Sequence, residues 1–461
     1  MGKRIVIVGG GSYGWTPTIV RDIVVTKELE GSTIVLEDID AATIRLTGRA
    51  CRRIIKQSGR KFTLKTTTSE KEALSGGGGA DFVILTISTG GFDAMEADVE
   101  LPKKYGIHQA VGDTVGPGGL SRALRNIPVV VKLARNMERH CPGAWLLNYT
   151  NPMTTLTRAV TSETGVPTIG LCHELYGTLG LMQRIFGLKD WTKDIAVHAA
   201  GINHLMWVTE MDIRGANGFA MLRDYLRNPK KYAEREKKAG RKLDLTHAET
   251  HIGSNRVKFE LFKIFGALPA AGDRHVAEFF PHFLTEKTRW GADWGVNLTT
   301  VEQRRTRWRP GAKKRCQAIA SGKEKVKLVR SHEAVSLIMA GLAGARTTID
   351  VVNLPNDGQI PELPLDAVVE TMGVMDSSGA RGLPAGELPP GVATILQRHV
   401  DNQEMTVEAA LTGDKELAFK ALVNDPLVLD LKRARRMFDE MLKANRKWLP
   451  QFFKPRGRKR R

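Results

Sequence analysis

The chain has 461 residues, of which 42% are hydrophobic and 26% are charged, and it carries a net charge of +19. This length allows two or three domains and a large buried core. The apolar runs are far shorter than the ~20 residues of a membrane span, and no apolar leader precedes the first of them, so we expect a soluble, cytosolic protein.

The first half of the sequence alternates strand-like and helical stretches, which is typical of an α/β fold with a parallel sheet. The predicted strands cover residues 3–8, 33–37, 82–88, 145–148, 166–171 and 195–199. Beyond about residue 205 the alternation gives way to predicted helices and loops, and residues 406–449 have helical periodicity. We therefore predict two domains, 1–200 and 201–461.

A glycine-rich turn follows the first predicted strand. Gly9, Gly11 and Gly14 form the spacing G-x-G-x-x-G between a strand and a helix, with Ser12 inside the same turn. Gly9 permits the tight turn, Gly11 lets the backbone approach a pyrophosphate, and Gly14 lets the helix pack closely on the sheet. The free N–H groups of the helix N-terminus favour an anion. The pattern therefore predicts a dinucleotide site.

An acidic pair supports this prediction. The second predicted strand ends at Glu37 and Asp38, where an acid would bind the ribose hydroxyls of the dinucleotide. Asp38 is the preferred candidate and Glu37 the alternative. Because a carboxylate repels a 2′-phosphate, the cofactor predicted at this position is NAD and not NADP.

Cysteine spacing and charge clustering exclude several other classes. The four cysteines are widely spaced and include no C-x-x-C pair, which argues against a disulfide scaffold or a zinc ribbon. Basic residues concentrate at 304–315 and in the tail at 454–461. Such clusters are typical of solvated faces, and the tail has no interleaved aromatic residues that could stack on bases. We therefore expect no membrane and no nucleic-acid partner.

Six further motifs stand at definite places along the chain. They are GDTVGPGG at 112–119, LNYTNPM at 147–153, LCHE at 171–174, GINH at 201–204, GDRH at 272–275 and LPLDAVVE at 363–370. Together they closely resemble family 4 of the glycoside hydrolases, which use NAD and a divalent metal, usually manganese, and form an exception to two-carboxylate hydrolysis. The resemblance extends from residue 3 to about residue 426. It implies a Rossmann domain and an α+β domain, as in lactate and malate dehydrogenases, assembled as homodimers or homotetramers.

The resemblance also implies a set of metal ligands. Cys172 and His204 match the metal-binding motif positions, and each follows an apolar strand-like run. Side chains that follow parallel strands meet at the carboxyl edge of the sheet, where α/β proteins bind ligands. A thiolate and an imidazole make an open site for a first-row divalent ion. His173 and His275 are possible further ligands.

The chemistry that the resemblance implies is an elimination assisted by redox steps. NAD oxidises the sugar at C3, the metal acidifies the C2 proton, a base removes it, the aglycone leaves, water adds, and the hydride returns to C3. Asn148 and Asn151 would orient sugar hydroxyls, and Asp113 could assist protonation of the leaving group. Some relatives use a tyrosine as the C2 base, but this chain has none after Tyr232. Asp273 is the candidate base, and a metal-bound hydroxide is the alternative.

Two short stretches bear on the substrate. Relatives that act on 6-phosphorylated sugars carry an arginine where this chain has Met95, which has no donor for a phosphate. The sequence Cys172-His173-Glu174 resembles the variant found in members acting on unphosphorylated α-glycosides, α-glucuronides and α-galacturonides among them. We therefore expect an α-linked uronic acid, with Arg274 as a candidate partner for its carboxylate. An α-galactosidase or α-glucosidase is the alternative.

Two other classes of function remain open at this point. A 2-hydroxy acid dehydrogenase would share the fold and the cofactor, but it would consume NAD stoichiometrically, and no dehydrogenase active-site motif is present. A basic nucleic-acid-binding protein would show an affinity that falls steeply with added salt.

Overall fold

The computed structural model of this protein describes residues 2–238, 240 and 255–453. Its strands form one sheet. They are β1 (Arg4–Val8), β2 (Thr33–Glu37), β3 (Thr63–Thr67), β4 (Phe82–Leu85), β5 (Trp145–Asn148), β6 (Thr168–Gly170), β7 (Ile195–Ile202), β8 (Leu205–Ile213), β9 (Ala216–Asn217), β10 (Leu268–Pro269), β11 (Thr348–Pro355), β12 (Val368–Asp376) and β13 (Gly379–Gly382).

Helices cover both faces of this sheet. They are α1 (Trp15–Val25), α2 (Ala41–Ser58), α3 (Glu70–Ser75), α4 (Gly91–Lys103), α5 (Gly116–His140), α6 (Met153–Glu163), α7 (Glu174–Phe186), α8 (Trp191–Asp194), α9 (Gly218–Arg227), α10 (Pro229–Lys238), α11 (Arg256–Phe265), α12 (Asp273–Val276), α13 (Val301–Gln303), α14 (Arg309–Ser321), α15 (Val335–Leu342), α16 (Pro390–Thr412), α17 (Lys415–Val423) and α18 (Leu431–Ala444). A π-helical turn, Arg304–Trp308, joins α13 to α14.

The first six strands have the order β3-β2-β1-β4-β5-β6, and all their pairings are parallel. This is the strand order of dinucleotide-binding α/β domains, whose ligands bind outside the carboxyl ends of the strands. The predicted strands at 33–37 and 145–148 coincide with β2 and β5. The predicted α/β class is confirmed.

The alternation of side chains along β1 explains why the sheet is covered on both faces. Val6 and Val8 pack in the core beneath α5 and α6, whereas Ile5 and Ile7 pack in the core beneath α1 and α2. All four side chains are buried. Burying one such side chain stabilises the fold by ~1.5–3 kcal/mol, so a strand with two apolar faces stays in the interior of the sheet.

The second half of the chain extends the same sheet with antiparallel strands. Strand β11 pairs with β6 through Asn353 and Gly170, and β12, β7, β8 and β10 follow in order. The residue pattern beyond about residue 205, interpreted as helices and loops, therefore contains strands as well, in agreement with the α+β domain implied by the resemblance. The apolar pattern of β11 is interrupted by buried polar residues, Asp350 and Asn353 among them, which find their partners elsewhere in the fold.

Three other predictions have different outcomes. The helical periodicity of residues 406–449 corresponds to the end of α16 and to α17 and α18. The proposed domain boundary near residue 200 falls within β7, and it stays a prediction. The basic tail at 454–461 lies outside the described residues. No helix among the described ranges is long and apolar enough to cross a membrane.

Candidate active site

The glycine turn after β1 is shaped by close contacts at two of its glycines. Gly9 has a φ of +86°, and a Cβ there would lie 2.4 Å from the backbone oxygen of Thr86. A Cβ at Gly11 would lie 2.6 Å from Asp38 Oδ2. A Cβ at Gly14 would meet nothing within 4 Å. The close helix packing predicted for Gly14 is therefore not found, whereas Gly9 is required by its φ and its backbone contact, and a side chain at Gly11 would displace Asp38.

The acid at the end of β2 is joined to this turn. Asp38 Oδ2 accepts a hydrogen bond of 2.9 Å from the Gly11 N–H. The Ser12 hydroxyl accepts one from the Trp15 N–H at the start of α1. Glu37 is buried, and burial followed by the charge of Asp38 raises its pKa to about 7. Asp38 therefore presents the carboxylate at the turn, and the cofactor-binding roles of these residues remain predictions.

A second site lies where three loops meet. Asp113 lies between α4 and α5, His204 lies in the turn between β7 and β8, and His275 lies in α12. One ligand atom from each falls within 4.8 Å of those of the other two. The two imidazole rings stack with centroids 3.7 Å apart. One carboxylate and two imidazoles are a donor set that suits a first-row divalent ion.

The chain holds His204 in a defined orientation. Its φ of +65° is unusual for a residue other than glycine, and such strain clusters at functional sites. Its Nδ1 lies 2.7 Å from the Thr114 hydroxyl, which lies 2.9 Å from Asp113 Oδ1. The Thr114 hydroxyl has one proton. If it donates that proton to Asp113, it must accept a hydrogen bond from Nδ1–H of His204. The unprotonated nitrogen of His204 is then Nε2, as a metal requires.

The protonation states of these groups fit the same use. Burial, then the charge of His275, lowers the pKa of His204 to about 3, so its imidazole is neutral near neutral pH. Burial alone would raise the pKa of Asp113, but the neighbouring His275, His204 and Arg122 outweigh it and hold that pKa well below its usual range. Nδ1 of His275 is buried without a hydrogen-bond partner in the described part of the chain. An anionic carboxylate, a neutral imidazole and an unsatisfied ring nitrogen fit a bound cation.

Cys172 is close to this group without belonging to it. It follows β6 at the carboxyl edge of the sheet, as predicted, but the three clustered donors in the described ranges do not include its sulfur. Burial, and then the charges of Glu370 and Glu174, raise the pKa of its thiol well above the usual range. His173 lies with Nδ1 3.1 Å from Glu333 Oε1. The metal-binding role of Cys172 stays a prediction.

The two asparagines after β5 differ in their contacts. Asn148 is buried, its Oδ1 accepts from the Thr150 N–H at 2.8 Å, and its Nδ2 lies 3.3 Å from Thr157 Oγ1. Asn151 Nδ2 donates to Asp113 Oδ2 at 3.3 Å, and its Oδ1 has no hydrogen-bond partner among the described residues. Asn151 therefore borders the three-donor group, whereas Asn148 stabilises the loop that carries it.

Asp273, predicted as the base, lies in a different environment. Its side chain is fully buried, and its two oxygens accept from the backbone N–H groups of Val257 and Lys258, each at 3.0 Å. These N–H groups belong to the first turn of α11, which lacks internal acceptors for them. Asp273 therefore stabilises the start of α11, and the structure gives no support to a direct role as base.

Arg274 also contacts the backbone. Its Nε donates to the Asn297 carbonyl at 3.0 Å and its Nη2 to the Ala110 carbonyl at 2.9 Å. Burial, and then the charge of Arg304, lower its pKa. Its Nη2 thus holds the loop that leads to Asp113, and its Nε holds the segment at Asn297.

Two acids, the half-buried Glu174 and the buried Glu370, are the last residues of the motifs at 171–174 and 363–370, but the sequence analysis assigned them no role. Glu174 Oε2 accepts from the Gly272 N–H at 2.7 Å. Glu370 Oε1 accepts from the side-chain amides of Asn203, at 3.4 Å, and Asn353, at 2.8 Å. An acid that ends an otherwise apolar motif is the signal that could have identified both.

Glu278 was not predicted as a site residue, because it lies in none of the motifs that the sequence displays. It is buried beneath the loop that carries Asp113 and accepts from the backbone N–H groups of Val111 and Gly112. Burial raises its pKa to about 7. Its role is to hold that loop.

Comparison with known proteins identifies the family. The profile described as family 4 glycosyl hydrolase matches residues 4–188, and that of the family 4 glycosyl hydrolase C-terminal domain matches residues 199–428. An α-galacturonidase of Thermoanaerobacterium saccharolyticum is 37% identical over 459 residues, covering 96% of each chain. An α-galactosidase of Bacillus subtilis is 31% identical, covering 98% of this chain and all of the relative.

Solved structures agree with this result. The provisionally assigned glucosidase lplD of Bacillus subtilis has a TM-score of 0.85 at 32% identity, covering 96% of this chain and all of that one. A 6-phospho-α-glucosidase from gut microorganisms, in complex with NAD and Mn²⁺, has a TM-score of 0.80 at 20% identity, covering 98% and 100%. A malate dehydrogenase of Cryptosporidium parvum has a TM-score of 0.52 at 13% identity, covering 89% and 99%, as the predicted fold implies. The chain is a glycoside hydrolase and belongs to family 4 of the glycosyl hydrolases.

Proposed function

We propose that this enzyme hydrolyses α-linked galacturonides with NAD and a divalent metal, manganese in the first instance. The observation that carries the proposal is the identity of 37% to an α-galacturonidase over nearly the whole of both chains. The glycine turn with Asp38 suits a dinucleotide, and the donor group around Asp113 suits a cation.

In this proposal Asp113, His204 and His275 hold the metal. Cys172 is a further ligand candidate, since a thiol beside a bound metal loses its proton. When bound, NAD accepts the C3 hydride and returns it, and the metal polarises the sugar oxygens so that the C2 proton becomes acidic. Asn151 orients a sugar hydroxyl next to Asp113, because its Oδ1 has no hydrogen-bond partner among the described residues.

The sequence-based roles of two acids change in this proposal. The lowered pKa of Asp113 suits a carboxylate that binds a cation and not an acid that must release a proton to the leaving group. Asp273 supports α11, so removal of the C2 proton passes to another group or to solvent in the site.

The test is the release of nitrophenol from nitrophenyl α-galacturonide, α-glucuronide, α-galactoside and α-glucoside, with and without NAD, Mn²⁺ and a reductant. We expect turnover of the galacturonide that requires both NAD and Mn²⁺, with no net accumulation of NADH. Stoichiometric NADH formation would indicate a dehydrogenase instead. Turnover without NAD would contradict the proposed chemistry.

The second candidate is an α-galactosidase. It is favoured by the full-length similarity to the α-galactosidase of Bacillus subtilis, and the two sugars differ only in the oxidation state of C6. Better turnover of the galactoside than of the galacturonide would select it. The homo-oligomer implied by the family resemblance stays a prediction, which light scattering tests.

A further inference from the structure

Arg304 lies at an unusual place in the helix that borders the active site. It begins the π-helical turn Arg304–Trp308, and such turns occur frequently at functional sites. Its half-buried side chain points back toward the loop that carries Asp113, where Nη2 lies 3.4 Å from the carbonyl oxygen of Val111. Nη1 lies 3.4 Å from the sulfur of Met95. The expectation that the basic cluster at 304–315 is a solvated face fails for this residue.

These contacts leave the guanidinium weakly engaged. The distance of 3.4 Å to the Val111 carbonyl exceeds the usual range of N–H···O hydrogen bonds, about 2.7–3.2 Å, and the acceptor of the other contact is a thioether sulfur, which is a weak acceptor. No carboxylate of the described residues forms a salt bridge with Arg304, whereas the neighbouring Arg305 pairs with Asp93 at 3.2 Å and Glu96 at 3.1 Å. A guanidinium offers five donors in a planar fork, and a carboxylate is the acceptor that matches it.

Positive charge is concentrated around the same loop. Arg274 donates to Ala110, Arg304 approaches Val111, and the charge of Arg304 contributes to the lowered pKa values of Arg274 and Arg122. Arg304 thus repels both Arg274 and Arg122, and the charge of Asp113 offsets this repulsion in part. An anion bound at Arg304 would relieve that repulsion, so the electrostatics favour a negatively charged substituent at this edge of the site.

The position also suits a sugar substituent. The loop from Val111 leads directly to Asp113, one of the three clustered donors. A hexose that binds there through its ring hydroxyls presents the group on C5 away from those hydroxyls, at the periphery of the site. Met95 and Arg304 contact each other beside this loop.

We propose that Arg304 binds the C6 carboxylate of the substrate and thereby sets the preference for uronides over neutral hexosides. This inference rests on the function proposed above. Arg304 would then be a specificity-determining residue that contacts the substrate at C6, away from the reacting atoms C1, C2 and C3.

The experiment compares full-length wild type with Arg304→Gln, with Arg305→Gln as the matched control that removes the same charge one residue away. The kcat/KM is measured on nitrophenyl α-galacturonide and α-galactoside, with NAD, Mn²⁺ and reductant present. For Arg304→Gln we expect a loss of ~30–100-fold on the galacturonide, mostly through KM, because a charged hydrogen-bonded pair is lost. The change on the galactoside should be less than ~3-fold, since its C6 hydroxyl presents no charge to the guanidinium. The control should leave the ratio of the two substrates unchanged.

A second variant covers the case in which glutamine at this position impairs folding. Arg304→Lys keeps the charge and loses the planar fork, so we expect a smaller loss, ~5–10-fold, on the galacturonide alone. An unchanged ratio of the two substrates in a folded Arg304 variant would overturn the inference and leave the uronide function standing. A wild-type preference for the galactoside would overturn the proposed function itself. A preference for the 6-phosphorylated galactoside would assign the anion site to a phosphate and refute the carboxylate.

Discussion

Replacement of Asp113 by asparagine is the sharpest test of the metal site. The amide keeps the size of the side chain but removes the negative charge, and an amide nitrogen cannot accept the Thr114 hydroxyl proton or bind a cation. Because His204 and His275 supply no negative charge when neutral, Asp113 is the anion of the three-donor group. We expect the Asp113→Asn enzyme to fold and to lose most of its affinity for Mn²⁺.

The size of the loss can be bounded. Removing a partner that only orients a metal ligand costs ~10–100-fold in affinity, so loss of the ligand carboxylate should cost at least ~100-fold. With Mn²⁺ at 100 times the wild-type Kd, binding stabilises the wild type by ~2.7 kcal/mol. The same Mn²⁺ concentration would then equal the Kd of the variant and stabilise it by only ~0.4 kcal/mol. The metal-dependent gain in the free energy of unfolding should thus fall by ~2.3 kcal/mol.

The assay is urea unfolding with and without Mn²⁺, together with electron paramagnetic resonance of free Mn²⁺ for the Kd. Asp273→Asn is the matched control, because it makes the same substitution in an acid that accepts two N–H groups of α11. It should lower the metal-free stability by ~1–2 kcal/mol, as loss of a helix cap does, and leave the metal-dependent gain intact. A folded Asp113→Asn enzyme whose Kd for Mn²⁺ stays within threefold of wild type would refute the assignment.

Four further outcomes are expected. Asp38→Ala should weaken NAD binding by at least ~10-fold in a fluorescence titration, since a charged hydrogen bond to the ribose is lost. The affinity for Mn²⁺ should stay unchanged. An unchanged NAD affinity would mean that Glu37 binds the ribose or that neither acid does. Burial raises the pKa of Glu278 to about 7, so the folded state binds this proton more tightly than the unfolded state does. The free energy of unfolding of the wild type should therefore fall as the pH rises from 4.5 to 7. Glu278→Gln has no carboxyl proton to lose and should show a smaller fall. Cys172→Ser and His204→Ala should each abolish Mn²⁺-dependent turnover in a folded protein, and normal turnover with Mn²⁺ supplied would remove that residue from the ligand set. Substrate deuterated at C2 should exchange its label or show a primary isotope effect, and full retention would exclude proton abstraction there.

Local sequence patterns predicted β1, β2, β4 and β5 because these strands are apolar on both faces, whereas the polar strand β3 was not predicted. Strands β2 and β5 were bounded correctly for this reason, and β1 nearly so. The strands beyond residue 205 were missed because their polar residues are satisfied at long range. Asp350 of β11 accepts from the Tyr176 hydroxyl, and Asn353 donates to Glu370 of β12. No local period distinguishes such a strand from a loop.

In the candidate site too, the sequence indicated individual residues but not how the fold brings them together. The motifs drew attention to Asp113, His204 and the segment containing His275, but they could not show that these three residues meet. That meeting depends on the antiparallel addition of β7 and β8 to the sheet, which the sequence did not reveal. The sequence did not distinguish Arg304 from the other basic residues of its cluster. Only the fold shows that its guanidinium faces inward, whereas its neighbours are exposed.

Two aspartates that each follow a glycine show that the role of a carboxylate depends on its surroundings in the fold. Asp113 and Asp273 both follow a glycine, yet one lies among imidazoles and the other among the N–H groups of α11. The consequence is electrostatic. A divalent ion held by one carboxylate and two imidazoles would keep a net positive charge, with which it could polarise a sugar oxygen.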